Sequence, residues 1–287
     1  MSFIELLKYI FLGIIQGVTE VLPISSSGHV AIFQQILNIR ANEGMLFLIL
    51  VNLGSFVAIV IHFRRLIGKL IKAFFGYLFA NKTDEESAEG FRYVIKIIIA
   101  TIPAGIIGYI AATTIDSLYQ DHYLIIVGTG LLLTATALFI VRNAAFVNGR
   151  QTVTYKDAMF MGVLQSLAIF PGLSRSGITA SAGLTRKMSM ETTLNFSFMM
   201  YIPISIGSVI KYLSVLIADP NSELLSINWA QPTQMIYYGA AMIASIIATR
   251  FALKFMYRLF REGRLMGFSA YTFFLGTIAL VTGIIIA

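Results

Sequence analysis

Apolar residues fall along this chain in long uninterrupted blocks, and six of the blocks are long enough to cross a bilayer, which takes about 20 residues. They run roughly 44–62, 93–112, 123–141, 194–217, 235–253 and 266–287. Two further apolar segments, 1–39 and 157–187, behave differently. Each is broken in the middle by Pro, Gly and Ser, and the two breaks resemble one another. One constant offset, without a gap, lays Gly13 on Gly162, Gln16 on Gln165, Ser25 on Ser174, Ser27 on Ser176 and Gly28 on Gly177. Interrupted apolar segments at matching places in two halves are a sequence pointer to a binding site at the interface of inverted repeats.

Composition agrees with a membrane chain: 57% of residues are hydrophobic and only 12% charged, where soluble domains carry about 25%. Cysteine is absent, which excludes disulfides and thiolate metal sites. The net charge of +7 is explained by loop bias, with no nucleic-acid partner implied. Segments 63–92, 142–156 and 254–265 concentrate Lys and Arg, whereas 116–122 and 218–234 hold none. Positive charge marks the cytoplasmic side, so the first set is placed inside and the second outside, with 40–43 and the C-terminus also outside. No removable signal peptide is expected, since the start lacks a basic region, short apolar run and small-residue cleavage site.

For this alternation to hold, each broken segment must leave the membrane on the side where it entered. Segment 1–39 then dips in from outside and 157–187 from the cytoplasm. Irregular backbone at membrane depth survives only where protein or a watery cavity satisfies it, so the two broken tips should meet inside the bundle. The expected fold is an all-α polytopic membrane protein with inverted-topology repeats, six full transmembrane helices and two re-entrant helix pairs. It forms one membrane domain over 1–287, with repeat one at about 1–141 and repeat two at about 157–287. The stretch 81–90 reads as a mobile loop within the cytoplasmic segment 63–92, and 66–79 as a helix along the inner membrane surface.

The breaks carry the candidate chemistry. Glu20 is a carboxylate inside an apolar segment, a placement that costs about 2.5–3.5 kcal/mol for charged types at the centre and usually means a cavity. Gln16 projects from the same helix face four residues earlier. Ser25, Ser26 and Ser27 precede a helix start, as do Ser174, Arg175 and Ser176. Serines there are ordinary N-caps, yet two helix starts facing each other also make an anion site. Arg175 at mid-membrane needs an anion, and its planar fork suits a phosphate. A structural Glu20–Arg175 ion pair is the competing explanation. His29, at the mouth of the hydroxyl-rich turn, is a candidate acid, base or nucleophile. No His/Cys/Asp/Glu cluster has zinc-ligand spacing. A Mg2+ or Ca2+ ion shared between Glu20 and substrate phosphates is the cofactor the site allows.

With Gln16-Gly-Val-Thr-Glu20, Leu22-Pro23-Ile-Ser-Ser-Ser-Gly-His29 and Pro171-Gly-Leu-Ser-Arg-Ser-Gly-Ile-Thr179 in view, the chain resembles the undecaprenyl-pyrophosphate phosphatase family of bacterial membranes, the type linked to bacitracin resistance. The likeness covers essentially the whole length. The family's first motif has Glu or Gln, three residues, then Glu; this chain takes the Gln form, which shifts the acidic role onto Glu20. The resemblance implies an enzyme of the plasma (inner) membrane that hydrolyses a C55 polyprenyl pyrophosphate to the monophosphate, the lipid carrier for cell-wall synthesis. It implies a site lined by Glu20, Ser26, His29, Ser174, Arg175, Ser176 and Thr179, to which Gln16, Ser25, Ser27 and Asn52 are added as substrate contacts. Three nucleophiles stay open: Ser26, His29, or a water with Glu20 as base. The topology predicts a site opening outward, and a homodimer is compatible with it. A second class of lipid phosphatase also uses Ser-Gly-His but needs a histidine downstream of a Ser-Arg pair, and none follows Arg175. The remaining alternative is a transporter or lipid flippase using the same pocket.

Overall fold

In the computed structural model, residues 2–39, 45–79, 84–144, 149–218 and 232–286 are described, and among them the chain is all-helical. The helices are α1 (Phe3–Val21), α2 (Ser26–Ile36), α3 (Met45–Phe79), α4 (Glu85–Ile140), α5 (Tyr155–Leu167), α6 (Arg175–Thr185), α7 (Met190–Ala218), α8 (Pro232–Arg261) and α9 (Leu265–Ile286). Among the described residues six stretches are long and apolar enough to cross a membrane: Leu46–Phe79, Glu85–Ile110, Tyr123–Ile140, Met190–Ser214, Thr233–Phe260 and Leu265–Ile286. All six expected crossings are among them. The outer surface also shows large apolar side chains such as Phe251, Phe255, Phe273 and Phe274. On this scale such exposure suits a surface facing lipid rather than water.

Local sequence explains where the helices start and stop. Leu22 is extended, with ψ 149°, because Pro23 disfavours helical backbone in the residue before it, and α1 therefore ends at Val21. Ser25 caps α2 by accepting from Gly28 N at 3.2 Å, and Ser174 caps α6 by accepting from Gly177 N at 3.1 Å. The turn between α5 and α6 passes through Gly172 at φ +80°, packed on the Val127 backbone, a conformation and a closeness that a side chain would not tolerate.

Two expectations are corrected. Residues 85–90, read as a mobile loop, form the start of α4. Asp84 caps it by accepting from Ser87 N at 3.1 Å, and Glu85 and Glu86 sit favourably in its first turn. Residues 66–79 are not a separate surface helix but the continuation of α3. At 35 residues α3 spans about 52 Å, longer than the hydrocarbon core of roughly 30 Å. The connection expected at 116–122 falls within the helical range of α4. The expected outer positions 40–43 and 219–231 lie outside the described residues.

The α4 range is nevertheless not a straight rod. Gly108 lies against Ile169, and Gly130 against Pro171 and Gly172, although a straight helix would hold those two glycines about 33 Å apart. Tyr93 and Ile97 also share one apolar core with Leu138 and Val141. The chain therefore doubles back between Ile110 and Tyr123, and the two legs are separate crossings.

Close backbone contacts hold the broken pairs in the bundle. Gly13 and Gly17 let α1 lie on the backbone of α8 at Ala241 and Ser245, and Gly162 lets α5 lie on α4 at Ala100. Both ends of the α5/α6 pair are then clasped. Thr154 and Asp157 form a capping box at the start of α5. The fully buried Asp157 carboxylate also forms an ion pair with Arg150 at 2.6 Å and accepts from Arg186 Nε, at the end of α6, at 2.8 Å. Burial alone would push this carboxyl up, but hydrogen bonds from Arg150, Thr154 and Arg186 outweigh it and hold it well below the usual carboxylate range.

Candidate active site

The tips of the two broken pairs touch. Ser176 Oγ donates to the Leu22 carbonyl at 3.0 Å, and the Arg175 guanidinium reaches Glu20 Oε1 at 2.8 Å. Between the tips lies a cavity of about 110 Å3 lined by Thr19, Glu20, Ser25 to Ser27, Ala168 and Leu173 to Ser176. The expectation that the breaks meet inside the bundle is met. The Glu20–Arg175 ion pair, the competing explanation for these two residues, is formed, with side chains only 9% and 14% exposed.

Glu20 is the hub. Its Oε1 accepts from Arg175, and its Oε2 accepts from Ser26 Oγ at 2.6 Å and from Gln16 Nε2 at 3.0 Å. The same Gln16 nitrogen donates to Asn52 Oδ1 at 2.7 Å. Gln16 and Asn52 therefore act on the site from behind, orienting the carboxylate rather than lining the cavity. Arg175 is held from a second side by the Tyr201 ring, 3.9 Å from the guanidinium carbon, a favourable cation–π placement. Its Nη1 is buried without a partner, which leaves one donor edge free for an anion.

The serines divide by role. Ser26 faces Glu20, while Ser25 and Ser174 are engaged as helix caps and Ser27 reaches Ser25 at 3.3 Å. Ser25 has φ +70°, a left-handed conformation that costs on the order of 1–3 kcal/mol for a non-glycine residue and tends to occur at functional sites. Two predicted residues point elsewhere. Thr179 is fully buried and bonds the Arg175 carbonyl at 2.8 Å and Ser197 Oγ at 2.6 Å, so it ties α6 to α7 behind the cavity. His29 is also outside the lining. Its Nδ1 meets the Ser25 carbonyl at 2.7 Å and its Nε2 the Tyr271 hydroxyl at 2.8 Å.

Residues 9–278 match the family described as bacitracin resistance protein BacA. The chain belongs to the BacA family. Its similarity runs end to end. It is 37% identical to the undecaprenyl-diphosphatase of Oceanobacillus iheyensis over 98% of each chain. It is 37% identical to undecaprenyl-diphosphatase 1 of Bacillus licheniformis over 98% of this chain and 99% of that one. With undecaprenyl-diphosphatase 1 of Halalkalibacterium halodurans it shares 36% identity over 96% and 95% of the two chains.

In this BacA-family site Glu20 is the one carboxylate among the lining residues. Among the described residues no group of three or more His, Cys, Asp or Glu side chains could cage a metal ion. The donor set fits an ion held mainly by substrate phosphate oxygens with a single protein carboxylate, as Mg2+ often is. Sequence reasoning missed Thr19 and Leu22, which lie within the first motif, and Tyr201 and Tyr271, which come from distant helices. No local pattern marks the two tyrosines; only the packing of α7 and α9 brings them in.

Proposed function

We propose that this chain is a membrane phosphatase that removes the terminal phosphate of undecaprenyl pyrophosphate, releasing inorganic phosphate and leaving the monophosphate carrier for cell-wall synthesis. The observation that carries the reading is the convergence of Glu20, Ser26 and Arg175 on one polar cavity, in a chain whose full-length relatives are named undecaprenyl-diphosphatases. Those names speak for the enzyme and none of them for a carrier.

Ser26 is the nucleophile the geometry favours. Its hydroxyl already donates to Glu20 at 2.6 Å, within the reach a general base needs. As Oγ bonds to the terminal phosphorus, Glu20 takes the Oγ proton. The bond from that phosphorus to the bridging oxygen breaks, and the lipid monophosphate departs. Glu20 hands that proton to the bridging oxygen as it leaves. A carboxylate again, it deprotonates the water that attacks the phosphoserine, the proton passing on to Ser26 Oγ as phosphate is released. Arg175, through its free Nη1, and the facing helix starts of α2 and α6 stabilise the charge that develops. Alternatively, Glu20 would help to hold a divalent ion, Mg2+ or Ca2+, which would neutralise the leaving phosphate.

The topology part of the proposal is an inverted repeat with two re-entrant pairs in the bacterial plasma membrane. Two pairs of equivalent contacts support it. Gly13 of α1 rests on α8 as Gly162 of α5 rests on α4, each crossing into the opposite half. Gly128 of α4 and Gly276 of α9 meet reciprocally, each facing the other's carbonyl. The Lys and Arg bias of the loops places the first broken pair on an outer entry, so the site opens outward.

The test is phosphate release from undecaprenyl pyrophosphate by the purified protein in detergent, with divalent ions supplied or chelated. Release by the wild type, with Glu20→Ala and Arg175→Ala folded but near background, supports the reading. No release with ions supplied overturns it.

A further inference from the structure

His29 is 2% exposed, and both of its ring nitrogens are engaged away from the cavity. A carbonyl oxygen only accepts, so the bond to Ser25 O requires a proton on Nδ1. In the neutral ring Nε2 is then an acceptor, and the Tyr271 hydroxyl is its donor. The two rings also stack at 5.6 Å and 19°. Tyr271 belongs to α9, at the far end of the chain from the first broken pair.

The Ser25 carbonyl belongs to the peptide unit that leads directly into Ser26, and Ser25 itself is held at φ +70°. Turning that peptide plane swings the Ser26 hydroxyl relative to Glu20. The same carbonyl accepts from His29 N at 3.3 Å and from Nδ1 at 2.7 Å, so the imidazole supplies the shorter of its two restraints. The imidazole is in turn oriented by Tyr271.

We propose that Tyr271 is a positioning residue for the reaction: by donating to His29 Nε2 it fixes the Nδ1–H tautomer, which pins the Ser25 carbonyl and aims Ser26 Oγ at Glu20. The assignment rests on the phosphatase reading for its kinetic consequence, while the tautomer it predicts stands independently of turnover. It gives His29 an orienting task and removes the need for it to attack phosphorus.

The test compares wild type with Tyr271→Phe, which removes one hydroxyl and keeps the stacked ring. The expected result is a fall in kcat of about tenfold, the size set by one well-placed hydrogen bond, with KM and melting temperature unchanged. Adding Tyr271→Phe to His29→Ala should cost nothing further, because the two act through one chain of bonds. Wild-type kcat in Tyr271→Phe, multiplicative losses in the double variant, or a lowered melting temperature with unchanged kcat each overturn the proposal. Nitrogen-15 spectra of histidine-labelled protein, assigned with His29→Gln, read the tautomer directly. They should show His29 Nε2 unprotonated and shifted by Tyr271→Phe; a protonated Nε2 at neutral pH or an unmoved signal overturns the pairing. A wild type that releases no phosphate fails the phosphatase reading alone, since the spectra still decide the role of Tyr271.

Discussion

Arg175 donates to Glu20 at 2.8 Å across 155 positions of sequence, joining the tip of one broken helix pair to the tip of the other. Each side chain neutralises its partner, which explains how both tolerate a site this enclosed.

Replacing Glu20 by Gln keeps an oxygen that can accept from Ser26 but removes the carboxylate proposed as the base. Steady-state kinetics on the lipid pyrophosphate should show kcat reduced roughly 10²–10⁴-fold, the usual worth of a general base. A kcat near that of the wild type would exclude Glu20 from proton transfer.

Ser26 and Ser27 are neighbours with the same chemistry, yet only Ser26 touches Glu20. Ser26→Ala should abolish turnover while Ser27→Ala retains most of it. Rapid quenching of wild-type turnover with labelled terminal phosphate should capture label on Ser26. Absence of a phosphoenzyme, with phosphate release intact, would return the attack to water.

The glycines separate cleanly by surroundings. A Cβ on Gly162 would press into the Ala100 backbone, whereas one on Gly105 meets nothing within 4 Å. Gly162→Ala should destabilise by about 1–3 kcal/mol through overpacking. Gly105→Ala, mid-helix and unobstructed, should be neutral or stabilise by up to ~1 kcal/mol. Thermal melts in detergent distinguish them, and equal melting temperatures would refute the close α5–α4 approach.

Asp157 links stability to pH. Its carboxyl is held below the usual range in the folded protein, so the clasp is fully present above the unfolded value of about 3.9 and is lost as pH falls below it. Asp157→Asn should cost on the order of 2 kcal/mol at neutral pH, as expected for lost charge-assisted hydrogen bonds. The melting-temperature gap to wild type should narrow as the medium is acidified below about pH 4; a gap that stays constant with pH would contradict the linkage.

Much of the site was legible because its chemistry is local. Glu20, Ser26 and Arg175 lie within interrupted apolar segments, where a polar residue has no stabilising reason to be unless it faces a cavity. Thr179 and His29 belong to the same motifs but lie one helical turn beyond Arg175 and Ser26, so they sit behind the tips, where Ser197 of α7 and Tyr271 of α9 meet them. The start of α4 was misread for a related reason. Its acidic, polar composition resembled a solvated loop, while the Asp84 cap and the apolar run beyond it stabilise a helix.

Sequence alone determined the membrane class, the six crossings, the two broken segments and their polar residues, because hydrophobic length and helix-breaking residues act over a few turns of chain. Tertiary structure decided which partners those residues meet: Tyr201 beneath Arg175, Tyr271 on His29, Asn52 behind Gln16, and Arg150 with Arg186 on Asp157. These contacts depend on how helices far apart in sequence lie side by side. That arrangement is set by close backbone approaches at positions such as Gly13 and Gly162 and by the packing of the whole bundle, which no short stretch of chain specifies.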